Sequence, residues 1–338
     1  MPSATDELLA ARTAAGRPLH FDEYMGIALY GEHGFYTAAG RAGRRGDFIT
    51  SPEVGPLFGA VLSRWIEAEF ERLGRPDDFV VVEVGAGPGT LARSVLLAAP
   101  QWRDRYRCVE VSAEQRAMHP DGVASLESLP DEAFVGVVIA NELLDNLPFR
   151  LAVFDDGWRE ALVEVDRVGV VSEITAPAPS SWEWLPSVRQ HGARVPVQTA
   201  ARDWVTSTQR LLQAGTVLAI DYCTARTAMV AAMPWREWLR TYRGHERGVH
   251  YLRDTGLQDI TAQVCVDQLP EPYAVRSQAQ FLARWGIDDL VEEGRRAWER
   301  TSAAPDLHSL RMRSRVRESE TLVEPGGLGD FVVLEWRS

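Results

Sequence analysis

The chain has 338 residues, of which 45% are apolar and 25% charged, and a formal net charge of −12. These are ordinary values for a globular chain with a full core. They exclude a general affinity for nucleic-acid backbones, which needs a clustered basic surface, and no run approaches the roughly 20 apolar residues of a membrane-spanning helix. All 36 basic residues are Arg, which removes Walker-type phosphate loops, Schiff-base chemistry and a lysine general base. The first stretch, "MPSATDELLAARTAAG", lacks a basic start and a long apolar run, so no secretory signal is expected, and Asp6 and Glu7 argue against a transit peptide. Cys108, Cys223 and Cys265 lie far apart with no CxxC pair, so no structural zinc or disulfide framework is expected. A reducing compartment, the cytoplasm, is the expected location.

Residues 1–78 read as mostly helical, with an irregular glycine-rich stretch, "GEHGFYTAAGRAGRRGDFITSPE". "PLFGAVLSRWIEAEFERLG" has helical apolar spacing, an early Pro and a closing Gly. Then strands and helices alternate: "FVVVEVG", "TLARSVLLAA", "YRCVEVS", "SAEQRAM", "FVGVVIANE", "TAARDWVTSTQRLLQAG" and "TVLAIDY". Apolar strands separated by helices imply a parallel sheet covered on both faces, a doubly wound α/β domain. "LAVFDDGWREALVEVDRVGVVSEI" alternates like a hairpin around an Asp-Gly turn. "APAPSSWEWLP" is loop, "ITAQVCVDQL" and "DFVVLEW" are strands, and "SQAQFLARWGI" opens a helical stretch. The hairpin and the late helices are expected to cap the sheet edge. "RMRSRVR", Arg311 to Arg317, reads as a solvated helix face. The reading divides the chain into 1–78, a helical segment with a loop over the site; 79–222, the α/β core with the inserted hairpin; and 223–338, cap helices and the closing strands.

Ligands of open α/β sheets sit beyond the carboxyl ends of the strands, where Gly85, Gly87 and Gly89 fall. A dinucleotide fingerprint wants Gly or Ala where Thr90 stands. The pattern present is Glu-x-Gly-x-Gly-x-Gly, Glu83 to Gly89, the form typical of S-adenosylmethionine (SAM) enzymes. Glu110, ending the second strand, suits a pair of ribose hydroxyls, and this contact serves NAD and SAM equally. "SLESLP" follows where an adenine edge would lie. "IANELLDNLPF" carries Asn141, Glu142 and Asp145 after the third strand. Glu142 and Asp145 are spaced to share one face of a helical turn and suggest a polar pocket; the plainer reading is a helix cap.

At these motifs the chain resembles the MidA-like SAM-dependent methyltransferases, whose mitochondrial members are assembly factors of respiratory complex I that methylate an arginine of a subunit. "FDEYMGIALYGEHGFY", "GDFITSPEVGPLFG", "VVEVGAGPGTLARSVL", "YRCVEVSAEQRAM" and "IANELLDNLPF" carry the resemblance, with "LAIDY", "LRTYRGH", "GLQDITAQVCVDQL" and "SQAQFLARWGI" following in order. It implies a seven-stranded class I methyltransferase (Rossmann-like) sheet with an N-terminal helical segment and a helical and hairpin cap. It implies SAM as cofactor, lined by Gly85, Gly87 and Gly89, with Glu83 beneath the amino-acid end and Glu110 on the ribose. Gly46, Asp47, Phe48, Thr50, Ser51, Pro52 and Glu53 would form a loop over the site. Asn141, Glu142, Asp145 and Pro148 would line the acceptor side, Asn141 touching the cofactor too, with Asp221 and Tyr222 nearby. Three departures bear on the acceptor: Cys223 where Gly is usual, Asn146 where Ala is usual, and no Pro after Tyr30.

The expected reaction is methylation of a protein or peptide arginine, with Glu142, Asp145 and Asn141 as the catalytic set and Glu53 as a further carboxylate. Alternatives are N- or O-methylation of a small molecule or peptide natural product, and a non-catalytic SAM-binding assembly protein; an NAD oxidoreductase is disfavoured by Thr90. A hydroxyl or amine acceptor needs one base near neutral pKa, for which His33, His245 and His250 are the candidates. Tyr30, Tyr36 and Tyr242 read as packing residues, with a hydrogen bond from one of them in the pocket as the alternative, and Trp182 and Trp184 as packing or groove cover. No metal, nucleic acid or membrane span is expected, and the sequence leaves the oligomeric state open.

Overall fold

The computed structural model describes residues 3–37, 50–182, 184–187, 190–243, 246–302 and 306–338. The chain folds as two compact units that interleave along the sequence. One holds Phe48–Asn141, Thr208–Ile220 and Pro272–Ser338; the other holds Met1–Asp47, Glu142–Ser207 and Asp221–Glu271. The consecutive segments 1–78, 79–222 and 223–338 expected from sequence do not coincide with these units. Sequence order is a poor guide here, because each unit is closed by segments that return from far along the chain.

The first unit is a seven-stranded sheet. Its strands are β1 (Val80–Val84), β2 (Tyr106–Val109), β3 (Ala124–Leu126), β4 (Phe134–Asn141), β5 (Leu212–Asp221), β6 (Ala274–Ser277) and β7 (Val332–Arg337). The order across the sheet is β6-β7-β5-β4-β1-β2-β3, and β5, β4, β1, β2 and β3 run parallel. β1 reads "VVVEV" and is buried throughout, as a strand covered on both faces must be. The sheet is mixed rather than wholly parallel. β7 runs antiparallel to β6, and Gly215 and Ser338 exchange both backbone hydrogen bonds, the mark of an antiparallel pair with β5.

Helix Pro56–Arg72 starts with Pro at its first position, where no intrahelical N–H is lost. It lies close to helix Thr90–Ala98 at Gly59, where an added Cβ would come within 2.4 Å of the Ser94 Cβ. Trp65 is fully buried and faces the Phe281 ring at 6.4 Å. The late helices Gln278–Arg284, Ile287–Thr301 and Leu307–Leu322 belong to this unit.

The second unit is built on a five-stranded antiparallel sheet. The expected hairpin is there: Arg150–Phe154 pairs with Trp158–Val165, and Phe154 faces Trp158 across the Asp-Gly turn. The hairpin is a component of this five-stranded sheet. Val171–Pro177, Arg194–Val197 and Leu19–His20 complete it. Beside it, strands Leu239–Arg243, Glu246–Arg247 and Asp259–Ala262 form a small three-stranded sheet. The core of the unit is aromatic, with Phe21, Tyr24, Phe149, Trp238 and Tyr251 each at most 1% exposed. Among the described residues no helix is long and apolar enough to cross a membrane.

Candidate functional site

Each unit carries a cluster of the residues singled out from sequence. In the sheet unit, the turn after β1 is shaped by Gly85, Gly87 and Gly89, at φ +68°, +52° and +79°. Side chains avoid this left-handed region, so glycine is needed here. At Gly89 space is also closed: a Cβ would lie 2.9 Å from the Pro120 Cδ. The Ala86 N–H donates to the Val109 carbonyl (3.0 Å), tying the turn to the end of β2.

Glu110 follows β2 and is buried. Its Oε2 accepts the Gly87 N–H at 3.0 Å and its Oε1 accepts the Ser112 N–H at 2.9 Å. His119, which the sequence reading missed, closes the same group. Its Nε2–H donates to the Gly87 carbonyl (3.0 Å), and its Nδ1 faces the Ser125 hydroxyl (2.8 Å). Burial lowers the His119 pKa, which keeps the ring neutral as the Nε2–H tautomer. Ser125 lies in "SLESLP", the stretch placed near an adenine edge.

Glu83 points elsewhere in the same unit. Its carboxyl accepts the Tyr106 hydroxyl (2.7 Å) in a buried site. Burial pushes its pKa up to about 7, against the lowering effect of the Tyr106 hydrogen bond. A carboxyl raised in the folded state contributes stability that is full below its unfolded value and lost as pH rises through the folded value. The melting temperature of the wild type is therefore expected to fall between pH 5 and 8, by an amount corresponding to at most about 3 kcal/mol from this residue. Glu83→Gln should flatten that slope. Parallel profiles for the two proteins in a thermal-melt series would remove Glu83 from the account.

Of the expected covering loop, Gly46, Asp47 and Phe48 lie outside the described residues. Thr50 precedes the short helix Ser51–Val54, and its N–H donates to the exposed Glu53 carboxylate (3.3 Å). Ser51 is fully buried and donates to the Gln278 amide oxygen (2.8 Å), and Pro52 is buried beside it.

The second cluster is acidic. The chain leaves β4 at Asn141, and the next residue, Glu142, takes a left-handed φ of +53°. That backbone is uncommon outside glycine and costs on the order of 1 kcal/mol. Asp221, which ends β5, accepts the Leu144 N–H (2.8 Å) and the Asp145 N–H (3.3 Å) on one oxygen, and the Tyr222 N–H (2.8 Å) on the other. It thereby pins the turn Leu144–Asn146. Asp145 is 4% exposed. Its Oδ2 accepts the Thr261 hydroxyl, while its Oδ1 is buried and has no hydrogen-bond partner among the described residues.

Burial drives the Asp145 pKa well up, and the charge of Asp221 adds to the rise. Asp221 is raised in turn by burial and by Glu142. The pair therefore holds a proton where isolated carboxyls would not. Asn146 donates to Asp259 (3.0 Å) and to the Ile260 carbonyl (3.1 Å), Tyr36 donates to the same Asp259 oxygen (3.0 Å), and Tyr30 stacks on Tyr36 at 5.5 Å. Asp259 and Thr261 are not singled out by the sequence, which marks Tyr36 chiefly as a packing residue. They reach the cluster through long-range pairing, which no local spacing announces.

The candidate bases fall elsewhere. His33 pairs with Glu7 at 2.7 Å, and His250 stacks on Tyr251 at 4.1 Å; His245 lies outside the described residues. Trp182 is buried under Arg150, and Trp184 is exposed. Among the described residues no group of three or more His, Cys, Asp or Glu is arranged to hold a metal ion.

Residues 61–283 match the family described as "Putative S-adenosyl-L-methionine-dependent methyltransferase". The chain belongs to this family of SAM-dependent methyltransferases. A protein of Burkholderia thailandensis solved with S-adenosyl-homocysteine bound is similar over 99% of this chain and 92% of its own, with 27% identity and a TM-score of 0.82. Among curated relatives, the Danio rerio "Protein arginine methyltransferase NDUFAF7, mitochondrial" is 26% identical over 84% of this chain and 77% of its own length. Its Drosophila melanogaster homologue is 30% identical over 46% of this chain, and that match spans only 44% of the fly protein.

The methyltransferase's own residues fit SAM. The glycine turn offers a surface that any Cβ would strain or fill. The Glu110 carboxylate has about four acceptor sites, of which the backbone N–H groups of Gly87 and Ser112 use two. The rest suit two ribose hydroxyls.

Proposed function

We propose that this methyltransferase modifies a guanidinium, on a protein or peptide arginine, and that Glu142 and Asp145 read the acceptor. One observation carries the reading: Asp145 is buried among carboxylates with one oxygen unpartnered among the described residues. A cation placed against it supplies what burial withholds, a partner for that oxygen and a charge that favours the ionised form. Guanidinium suits this role because its planar fork donates two parallel hydrogen bonds to a carboxylate. The relatives named as protein arginine methyltransferases support the same acceptor.

When bound, SAM supplies a methyl group on a positively charged sulfur. The protein's residues do the rest. The glycine turn and Glu110 hold the donor, with Asn141, which ends β4, as a further contact. Thr50, Ser51 and Glu53 belong to the stretch assigned to cover it. Glu142 and Asp145 fix the plane of the guanidinium and draw its charge toward the nitrogens that are not attacked. The proton released from the attacking nitrogen passes to this acidic group. Orientation of this kind is worth several kcal/mol, about 7 or more at best.

Asn146 favours a second reading. It ties up Asp259 where the resemblance leads one to expect a small residue, which narrows the choice of acceptor and fits a compact small-molecule or peptide natural product. The three free thiols fit a reducing compartment such as the cytoplasm.

Incubation with isotope-labelled SAM separates these readings. Arginine-containing peptides and a protein extract form one arm, small amines and alcohols the other, and mass spectrometry locates the label. The expected product is methylarginine. Transfer should rise with pH as the Asp145–Asp221 pair loses its shared proton. Label confined to hydroxyls or amines would overturn the arginine reading, and no transfer to any acceptor would favour a SAM-binding assembly protein.

A further inference from the structure

A second polar cleft lies in the sheet unit, at the other rim of the sheet from the glycine turn. Gly215 sits near the start of β5 and pairs with Ser338, so the end of β7 lies at the amino-terminal rim of the parallel strands. Here the end of helix Pro56–Arg72, the start of β6 and the end of β7 surround a cavity of about 150 Å³.

Four arginines line it: Arg72, Arg276, Arg284 and Arg337. Two buried glutamates, Glu69 and Glu335, also line it and hold three of the arginines. Glu69 accepts from Arg72 at 2.7 Å and lies 3.7 Å from Arg337, and Glu335 pairs with Arg276. Arg284 is exposed and makes no ion pair among the described residues. The cleft thus keeps two positive charges beyond those its glutamates offset, in a chain whose net charge is −12.

Aromatic rings steady two of the forks. Arg337 lies over Tyr273 at 3.8 Å and Arg284 over Trp285 at 5.7 Å. The Trp285 indole N–H is buried and has no acceptor among the described residues.

We propose that this cleft binds a small, multiply charged oxyanion of the phosphate or dicarboxylate class. Anchored guanidinium forks match the paired oxygens of both groups. The cavity, about 150 Å³, is below the roughly 300 Å³ at which pockets for larger organic ligands begin, which suits a small anion, and the site lies at the other rim from the glycine turn.

Titration calorimetry at low ionic strength tests this, with inorganic pyrophosphate in one arm and succinate in the other. The wild type is expected to bind at least one of them, more weakly as salt rises, and the probe that binds assigns the chemistry. Arg284→Gln should weaken that binding about tenfold or more, with SAM affinity and methyl transfer in the absence of the anion unchanged. Arg284→Gln/Arg337→Gln should abolish it. The proposal falls if neither probe binds the wild type at millimolar concentration, or if the double variant, or the single one where the double does not fold, binds like the wild type.

Discussion

Replacing Asp145 with asparagine is expected to lower the rate of methyl transfer by about 10²–10³, the loss typical of removing one preorganised charged group from a reacting centre. SAM affinity should stay within a few fold, because the glycine turn and Glu110 are other residues. The variant is also expected to fold. Asp145 is driven toward its neutral form in the resting protein, and asparagine is close to that form in shape while keeping an oxygen for the Thr261 hydroxyl. A near-normal melting temperature with a collapsed rate is therefore the signature of a charge needed only when a cation is present. Glu142→Gln should act in the same direction with a smaller loss, since Glu142 is only partly buried. Wild-type turnover in the Asp145 variant, measured with the acceptor found by mass spectrometry, would take this residue out of the mechanism.

Glu110→Ala should have the opposite signature. It removes the acceptor for the Gly87 and Ser112 N–H groups together with the sites assigned to the ribose. Hydrogen bonds to a charged group are worth about 1.5–3 kcal/mol each, so two lost ribose bonds predict a SAM dissociation constant raised about a hundredfold or more. Loosening of the turn at Gly87 adds to that. Turnover at saturating SAM should fall much less, because the residues that orient the acceptor remain. Calorimetry with SAM and initial rates over a range of SAM concentrations check both halves. Unchanged SAM affinity would move the cofactor away from this strand end.

The glycine turn, Glu110 and the acidic pair were readable in the sequence for a physical reason. A turn held at positive φ admits few residues, and a carboxylate just past an apolar strand stands out against its neighbours. The alternating strands and helices of the core were legible on the same ground of uniform apolar runs. His119 was not, because a histidine after a short helix carries no period and acquires its partners, Gly87 and Ser125, only through folding. Asp259 and Thr261 sit on a strand whose pattern announces a strand and nothing more. Strands β3 and β6 were missed because each is short and polar at the sheet's edge, where one-sided pairing relaxes the demand for apolar residues. The interleaving of the two units was hidden for a related reason: a chain crossing between strand and loop looks the same whether or not it leaves one compact unit for another.

The place of β7 has a consequence for biosynthesis. It fills the slot between β5 and β6, yet its residues, 332–337, are translated after those of every other strand in the sheet. Until they leave the ribosome, β5 exposes an open margin of unpaired peptide groups and β6 has no strand to join. The nascent sheet thus passes through a stage open to mispairing, and the loss of a few residues beyond Phe331 would leave it there for the lifetime of the molecule.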